Sequence, residues 1–472
     1  MYTGAFFWAY RLCTREKIKM ARIKNMTEGS PGRLIFLFAI PLMIGNIFQQ
    51  LYIMVDTMVV GQGVGVKALA SLGAADWLNW MFLGMMTGIT QGFSILFAQF
   101  YGAGDKNSMK KAVGNAVVLS VGFGSVLLIV GEGGLRLFLR ILDTPADIIG
   151  GSELYLRVAF AGIPVILGYN LLAAMLRALG DGRTPLYAMV AAAVVNVVLD
   201  LLFVMVFHWG IAGAAFATVI AQCFSMLVCL RAVRKLEWLH PGKADLRPDL
   251  SMMKRLVVLG IPVMFQNCVI AVGGMVVQNV VNGFGFIFVA GFTATNKLYG
   301  LLETASISFG FSMTTFAGQN MGAGLYSRIR RGTRTAAVMA VLTSVIISVA
   351  MLAFGKPILG LFVSGDAGQK AEVLAVAYRY LAVMSVTLAA LYLLHLLRGA
   401  LQGLGNAMLP MAAGIMEFVM RVCAALLLPK FMGSDGIFYA ESLAWFGALA
   451  VLIPSYFITM RKLSGRELKQ NE

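Results

Sequence analysis

The chain has 472 residues, of which 59% are hydrophobic and only 13% are charged. A soluble globular protein carries about 25% charged residues, so this composition excludes a soluble domain and indicates a polytopic membrane protein. The formal net charge of +16 could indicate nucleic-acid binding, but Lys and Arg that flank membrane spans explain it better. Five Cys without paired spacing predict neither a disulfide framework nor a metal site.

Long apolar stretches divide the chain into twelve segments, each long enough to cross a bilayer as a helix. They are too long and too mixed in pattern to be transmembrane β-strands, which have about 9–11 alternating residues. We therefore predict an all-α polytopic membrane protein with twelve transmembrane helices. The predicted spans lie near 33–60, 70–98, 109–130, 152–176, 184–206, 211–231, 255–281, 287–317, 333–354, 375–401, 407–430 and 436–460.

Lys and Arg are more frequent in the loops after even-numbered spans than in those after odd-numbered spans. The segment between spans 6 and 7 is strongly basic, whereas the loop after span 1 contains only Lys67. Since basic loops face the cytoplasm, we predict a protein of the cell (inner or plasma) membrane with both termini in the cytoplasm. Residues 1–32 would form a cytoplasmic N-terminal segment, in which Met20 or Met26 is an alternative start.

The second half of the chain repeats motifs of the first half in the same order. The run at 93–104, which ends in Gly-Ala-Gly, returns at 311–324, and the Ile-Pro pair at 40–41 returns at 261–262. Each copy holds six spans, so both copies enter the membrane from the same face. We therefore predict two parallel six-helix repeats around a central cavity. The predicted parts are an N-lobe at 33–231, a cytoplasmic linker at 232–254, a C-lobe at 255–460 and a cytoplasmic tail at 461–472.

Asp56 is an isolated acid in the first span, because no Asp, Glu, Lys or Arg lies from Leu34 to Val55. A carboxylate in hydrocarbon is costly unless it faces a cavity, has a partner or takes up a proton. Asp56 is therefore a functional-site candidate, and a hydrogen bond to a neighbouring helix is the alternative. Tyr52 and Gln49 share its helix face and are candidates for lining a substrate cavity.

Span 5 contains a second acid, Asp200, one helical turn after Asn196. At this spacing the oxygens of both side chains can reach one cation. Oxygen ligands suit Na⁺ by the logic of hard cations, and the same carboxylate can bind H⁺, so both coupling ions stay open. A packing network between spans 5 and 6 is the alternative. Met189 lies seven residues before Asn196 on the same face and is a candidate for cavity lining.

Taken together, these motifs resemble the multidrug and toxic compound extrusion (MATE) family, over about residues 30–460. The resemblance rests on Pro41 with Asp56, the two Gly-Ala-Gly turns, the Leu-Gly-Asp-Gly-Arg-Thr-Pro run at 179–185 and the Gly-Ile-Ala-Gly-Ala-Ala-Phe-Ala-Thr run at 210–218. The Asn-x-x-x-Asp spacing in span 5 resembles the DinF-like branch of the family.

The resemblance implies efflux of organic cations or other amphipaths by alternating access, driven by inward H⁺ or Na⁺. Thr218 matches the family's third polar position, so the resemblance places the coupling ion at Asp56, Asn196, Asp200 and Thr218, and a Na⁺ ion would be held there. Pro41 cannot donate its backbone N–H and is expected to kink the first span, a bend that the family uses in switching.

In the second repeat, Arg421 occupies the position equivalent to Asn196, and Glu417 precedes it by four residues. This spacing predicts a structural ion pair along one helix. Span 7 contains no acid, whereas the NorM-like branch of the family carries one there, which puts that branch's second ion site in doubt here. Glu303 in span 8 is a lone acid, which could pair with Lys297 or contact the substrate.

The sequence therefore predicts a secondary multidrug antiporter and not an enzyme, because the Gly-Ala-Gly turns lack the Walker Lys-Ser/Thr and no catalytic constellation is present. The alternative is a lipid-linked oligosaccharide flippase, which should show cationic residues for pyrophosphate, whereas Glu417 neutralises Arg421. We expect no cofactor apart from the coupling ion, H⁺ or Na⁺. The expected partners are small amphipathic or cationic molecules and the lipid bilayer, with no nucleic acid, and the protein is expected to be a monomer.

Overall fold

A computed structural model describes residues 23–142, 144–363 and 367–471, so most of the predicted N-terminal segment lies outside the described residues. Twelve membrane-length helical segments make up the described chain, which contains no β-strand, and the predicted all-α class is confirmed. The helices are α1 Pro31–Gly63, α2 Val66–Gly102, α3 Lys106–Ile141, α4a Ile149–Ala161 and α4b Ile163–Ala178, α5 Arg183–Asp200, α6 Gly210–Arg234, α7 Leu250–Asn282, α8 Phe286–Gly322, α9 Tyr326–Gly360, α10 Ala367–Gly403, α11 Met408–Met432 and α12 Tyr439–Asn471.

By length and composition, nine stretches of the described chain could cross a membrane, or ten if the bent pair α4a and α4b forms one span. The last of these stretches, Met408–Gly465, includes both α11 and the apolar part of α12. Helix α8 is not among these stretches because many of its residues are polar, although it is as long as α2. Twelve helices therefore agree with the twelve predicted spans.

Two helices depart from regular α geometry. The α4 span bends by 49° between Ala161 and Ile163, where Pro164 stands in the first turn of α4b and cannot donate its N–H to the preceding turn. Helix α5 ends at Asp200 and continues as a π-helix, Leu201–Val206. Single π-turns of this kind often occur at functional sites.

Helix α3 extends to Ile141, well past the predicted end near 130. Two of the charged residues in this extension, Glu132 and Arg136, form ion pairs: Arg136 Nε lies 2.9 Å from Glu153 Oε2, and Arg157 binds both Glu153 and Glu132. The predicted span ended too early because these charges interrupt the apolar pattern without ending the helix.

The internal repeat is visible in the backbone of α2 and α8, which both have 37 residues. Each helix is followed by a glycine with positive φ, Gly104 at 70° and Gly324 at 73°. Only glycine adopts this left-handed conformation at little cost, and it ends the helix in a tight turn. The repeated Gly-Ala-Gly motifs are therefore structural helix terminators.

The described chain forms two compact units, each of which contains parts of both halves of the sequence. The first unit comprises residues 23–25 and 44–260, and the second comprises residues 26–43 and 261–471. The divisions fall inside α1 and α7, next to Pro41 and Pro262. The compact units and the predicted lobes therefore differ at 33–43 and 255–260.

The linker between α6 and α7 is attached to the first unit through Asn115 of α3. Asn115 Oδ1 accepts a hydrogen bond from the Asp249 N–H at 2.8 Å, and Asn115 Nδ2 donates to the Asp245 carbonyl at 3.4 Å. Because Asn115 is only 1% exposed, these two bonds satisfy a buried amide. They also position the chain before α7 begins.

Candidate functional site

Three of the four predicted ion-binding residues are buried in the first unit. Asp56 lies on α1, and Asn196 and Asp200 lie one turn apart on α5. These three residues are 9%, 1% and 0% exposed, respectively. Thr218 on α6 is half-buried. The four residues thus come from three helices that are well separated in sequence.

The structure brings these side chains together. Asn196 Nδ2 donates a hydrogen bond to Thr218 Oγ1 at 3.4 Å, which joins α5 to α6. The carboxylates of Asp200 and Asp56 are close enough to interact electrostatically. Within the described residues, no Lys, Arg or His nitrogen lies within 4.0 Å of either carboxylate. The site is therefore acidic and has no ion-pair partner.

Buried oxygen atoms at this site lack hydrogen-bond partners among the described residues. They are Asp56 Oδ1, Asn196 Oδ1, both carboxylate oxygens of Asp200, and Gln222 Oε1. A buried polar group without a partner is costly, and an isolated charge costs far more. These oxygens are all acceptors, so the site is suited to a proton or a cation.

The ligand set is chemically restricted. Among the described residues, no group of three or more His, Cys, Asp or Glu side chains could hold a metal ion. Two carboxylates with amide and hydroxyl oxygens instead resemble the hard oxygen ligands of an alkali cation, and each carboxylate can also take up H⁺. The residues present are chemically compatible with either Na⁺ or H⁺, and the coupling ion stays a prediction.

Two polar residues near this site were missed by the sequence analysis. Gln222 lies one turn after Thr218 on α6, and its side chain is within hydrogen-bonding reach of the Tyr52 hydroxyl. Asp76 on α2 is close enough to Asp56 to interact electrostatically. The i, i+4 spacing from Thr218 could have identified Gln222. Asp76 is an acid within a predicted apolar span, as Asp56 is, and could have been identified for the same reason.

The predicted cavity residues have different surroundings. The Tyr52 hydroxyl is within hydrogen-bonding reach of Gln49 and of Gln222, and it interacts electrostatically with Asp56. Met189 lies against α1, because a Cβ atom built on Gly45 would be 3.4 Å from its sulfur. Met189 therefore packs two helices of the ion site together, while Tyr52 belongs to its polar network.

Helix α1 continues without interruption through Pro41. The proline removes one backbone donor from the helix and clashes with the preceding turn, which weakens the helix locally. The division between the two compact units falls two residues later, between Met43 and Ile44. The kink at Pro41 remains a prediction.

In the second unit, the structure extends the predicted Glu417 and Arg421 pair into a four-residue network. Arg421 Nη2 lies 2.9 Å from both Glu417 Oε1 and Glu441 Oε2, and Arg398 Nη2 lies 2.6 Å from Glu417 Oε2. The network joins α10, α11 and α12. Arg398 and Glu441 were missed because their partners lie on other helices, which sequence spacing does not reveal.

Glu303 lies beside this network and not beside Lys297. Its carboxylate interacts electrostatically with Arg421, Glu441 and Glu417, and it is within hydrogen-bonding reach of Tyr299. No ion pair within 4.0 Å joins it to Lys297 in the described structure. The pairing considered from the sequence is therefore absent, since a spacing of six residues puts the two side chains on different helix faces.

Twelve membrane-length helices in a duplicated order, with uncompensated buried acids, define a polytopic membrane transporter. Comparison with known proteins agrees with this class. The MatE family model matches residues 41–202 and 262–427. The chain therefore belongs to the MatE family, and the resemblance inferred from its motifs is confirmed.

Two known proteins are similar to most of the chain. It is 30% identical over 418 residues to the probable multidrug resistance protein YpnP of Bacillus subtilis (strain 168), covering 88% of this chain and 92% of that protein. It is 26% identical over 355 residues to DNA damage-inducible protein F of Escherichia coli (strain K12), covering 71% and 73%.

A solved structure of an outward-facing multidrug resistance MATE family transporter of the MOP superfamily has the same fold. Its TM-score is 0.86 at 21% identity, covering 95% of this chain and 100% of that chain. The present protein is thus a transporter of the MATE family that shares the fold of this structure, and by its family it is not an enzyme.

Proposed function

We propose that this protein is a secondary antiporter that exports cationic amphipathic compounds in exchange for H⁺ or Na⁺. The observation that carries the proposal is the set of unpartnered buried oxygens on Asp56, Asn196 and Asp200. No cationic side chain compensates the two carboxylates in the described structure. An inward-moving cation is the simplest partner that removes this electrostatic cost.

The coupling follows from the arrangement of the site on three helices. Asp56 on α1 and Asp200 on α5 are near enough to repel each other when both are ionised. A cation or proton relieves the repulsion and allows α1 and α5 to approach, whereas release of the ion favours separation. Export is driven only if the ion binds the inward-facing and outward-facing states with different affinities.

The flippase alternative is less well supported by the charges of the second unit. Arg398 and Arg421 each bind a glutamate at 2.6–2.9 Å. Their guanidinium groups are therefore already paired and are not free to bind pyrophosphate. Two of the proteins described above, YpnP and the outward-facing MATE structure, are named as multidrug resistance proteins or transporters, which supports efflux of small organic molecules.

We propose that the protein lies in the inner or plasma membrane of the cell. In the proposed orientation, the basic loops and both termini face the cytoplasm. The protein is proposed to act as a monomer.

Reconstitution in proteoliposomes tests the transport reaction: an H⁺ gradient and a Na⁺ gradient are imposed separately, and uptake of ethidium is followed by fluorescence. Accumulation under one gradient but not the other identifies the coupling ion. Ethidium flux that is independent of both gradients would contradict the proposal.

A further inference from the structure

Helix α8 has a polar face that is partly exposed within the second unit. Asn296, Tyr299 and Glu303 follow one another at helical spacing and are half-buried, while Leu298 and Leu302 between them are buried. A face in contact with lipid would be apolar, and intramembrane ionisable residues usually face protein or an aqueous cavity. This face of α8 is therefore suited to contact a solute.

The repeat shows that the fold does not require an acid at position 303. Helices α2 and α8 begin at Val66 and Phe286 and have the same length, so Glu303 corresponds to Leu83. Leucine is accepted at the same place in the first copy of the helix. Glu303 thus adds a charge that the packing of this helix does not demand.

The neighbouring charges are already balanced without Glu303. Arg398 and Arg421 are paired with Glu417 and Glu441, which makes two positive and two negative groups. No ion pair within 4.0 Å includes Glu303 in the described structure. When ionised, its carboxylate is the group in this cluster that still needs a cation.

The surroundings of Glu303 favour an organic cation over an inorganic one. Tyr299 is within hydrogen-bonding reach of the carboxylate, and its ring stacks on Trp445 with centroids 6.0 Å apart. A single carboxylate and a phenol provide few oxygen ligands for an inorganic ion, whereas a carboxylate beside aromatic rings is suited to an organic cation. Lys297 lies six residues before Glu303, about 9 Å away along the helix axis, so it does not neutralise the carboxylate by direct contact.

We propose that Glu303, supported by Tyr299, binds the cationic group of the exported compound. The inference rests on the proposed efflux function and names the residue that recognises the charge of the substrate. It assigns substrate charge recognition to the second unit and coupling-ion binding to the first. Variants in the two units should therefore affect different measurements.

The test compares a permanent cation with an uncharged molecule of similar shape. Binding of tetraphenylphosphonium and of triphenylphosphine oxide to the purified full-length protein is measured for the wild type and for Glu303→Gln. The variant should weaken tetraphenylphosphonium binding about tenfold or more and leave triphenylphosphine oxide binding unchanged. Glu372→Gln is the matched control, since Glu372 is exposed on α10 and loses the same charge.

Three results would overturn the proposal. In the first, Glu303→Gln binds tetraphenylphosphonium as the wild type does. In the second, it loses affinity for both molecules equally. In the third, the wild type binds neither of two permanent cations, tetraphenylphosphonium and ethidium.

A separate measurement distinguishes this inference from the proposed function. Coupling-ion binding, followed as H⁺ release or as ²²Na⁺ binding, should be unchanged in Glu303→Gln. If ion-driven exchange is lost while tetraphenylphosphonium binding is normal, Glu303 belongs to the coupling machinery and the inference is wrong. If the wild type exchanges no ion but cation affinity still depends on Glu303, only the antiport function fails.

Two further variants keep the test decisive if Glu303→Gln does not fold. Glu303→Asp retains the charge but withdraws it by one methylene, so it should weaken tetraphenylphosphonium binding less than removal of the charge. Tyr299→Phe retains the aromatic ring and should have an effect of about threefold or less, since it removes one hydrogen bond. A loss of affinity in Glu303→Asp that is equal for tetraphenylphosphonium and for triphenylphosphine oxide would overturn the role of the carboxylate.

Discussion

Asn196 Nδ2 donates a hydrogen bond to Thr218 Oγ1 across 3.4 Å, which joins α5 to α6 one turn before Asp200. This bond uses the amide nitrogen of Asn196 and leaves its oxygen without a partner among the described residues. Both carboxylate oxygens of Asp200 also lack a hydrogen-bond partner among the described residues. The contact therefore orients an acceptor at the proposed ion site instead of filling it.

Asp56→Asn is expected to retain the fold but to abolish gradient-driven export. The amide has nearly the shape of the carboxylate, yet it carries no charge to bind H⁺ or Na⁺, and burial of a neutral group costs less than burial of a charge. Ethidium efflux from cells and the amount of protein in the membrane are measured together. Full resistance at a normal amount of Asp56→Asn protein would rule out an essential role for this carboxylate.

Asp200→Asn and Asn196→Ala are expected to weaken the same ion site, with effects that do not add. Residues that share one ligand couple energetically by about 0.5–3 kcal/mol. Ion affinity is measured by calorimetry for the wild type, both single variants and the double variant. Leu201→Ala, which changes an exposed neighbour of Asp200, is the control. Additive losses would show that the two residues do not bind a common ion.

Removal of Glu417 or of Arg421 is expected to destabilise the protein by about 3–5 kcal/mol, because it leaves Arg398 or Glu441, respectively, without its ion-pair partner. The double neutral variant restores the balance of charge but leaves both Arg398 and Glu441 unpaired, so it should recover only part of this loss. Neutral substitution of all four residues should recover more. Thermal unfolding in detergent measures the series, and ion binding is followed in parallel. Normal unfolding of Glu417→Gln with lost ion binding would instead give the second unit a role in coupling.

Gly92→Ala is expected to destabilise the first unit, because the new Cβ atom would lie 2.3 Å from the Gly260 Cα atom. Backbone atoms cannot yield as a flexible side chain can, and overpacking typically costs about 1–3 kcal/mol. Gly73→Ala, also on α2, meets no atom within 4 Å and should gain up to about 1 kcal/mol from better helix propensity. Equal melting temperatures for the two variants would mean that α2 and α7 can separate without loss.

The sequence by itself determined the twelve helices and the duplicated order of the chain. Hydrophobicity is a local property, and about 20 consecutive apolar residues must form a helix in a bilayer to satisfy their backbone hydrogen bonds. The isolation of Asp56 in such a stretch was also visible locally, as was the i, i+4 spacing of Glu417 and Arg421. Helix ends were less accurate, as at Ile141, because paired charges continue a helix beyond its apolar part.

Only the tertiary structure decided which polar groups from distant spans meet. The approach of Gln222 to Tyr52 and the ion pair between Arg421 and Glu441 depend on how each helix is rotated about its axis. Nearly uniform apolar stretches give little information on that rotation, because lipid-facing and protein-facing residues are both hydrophobic. Close packing against neighbouring helices sets the rotation, and it thereby determines that the acids at 56 and 200 remain unpaired while those at 417 and 441 are neutralised.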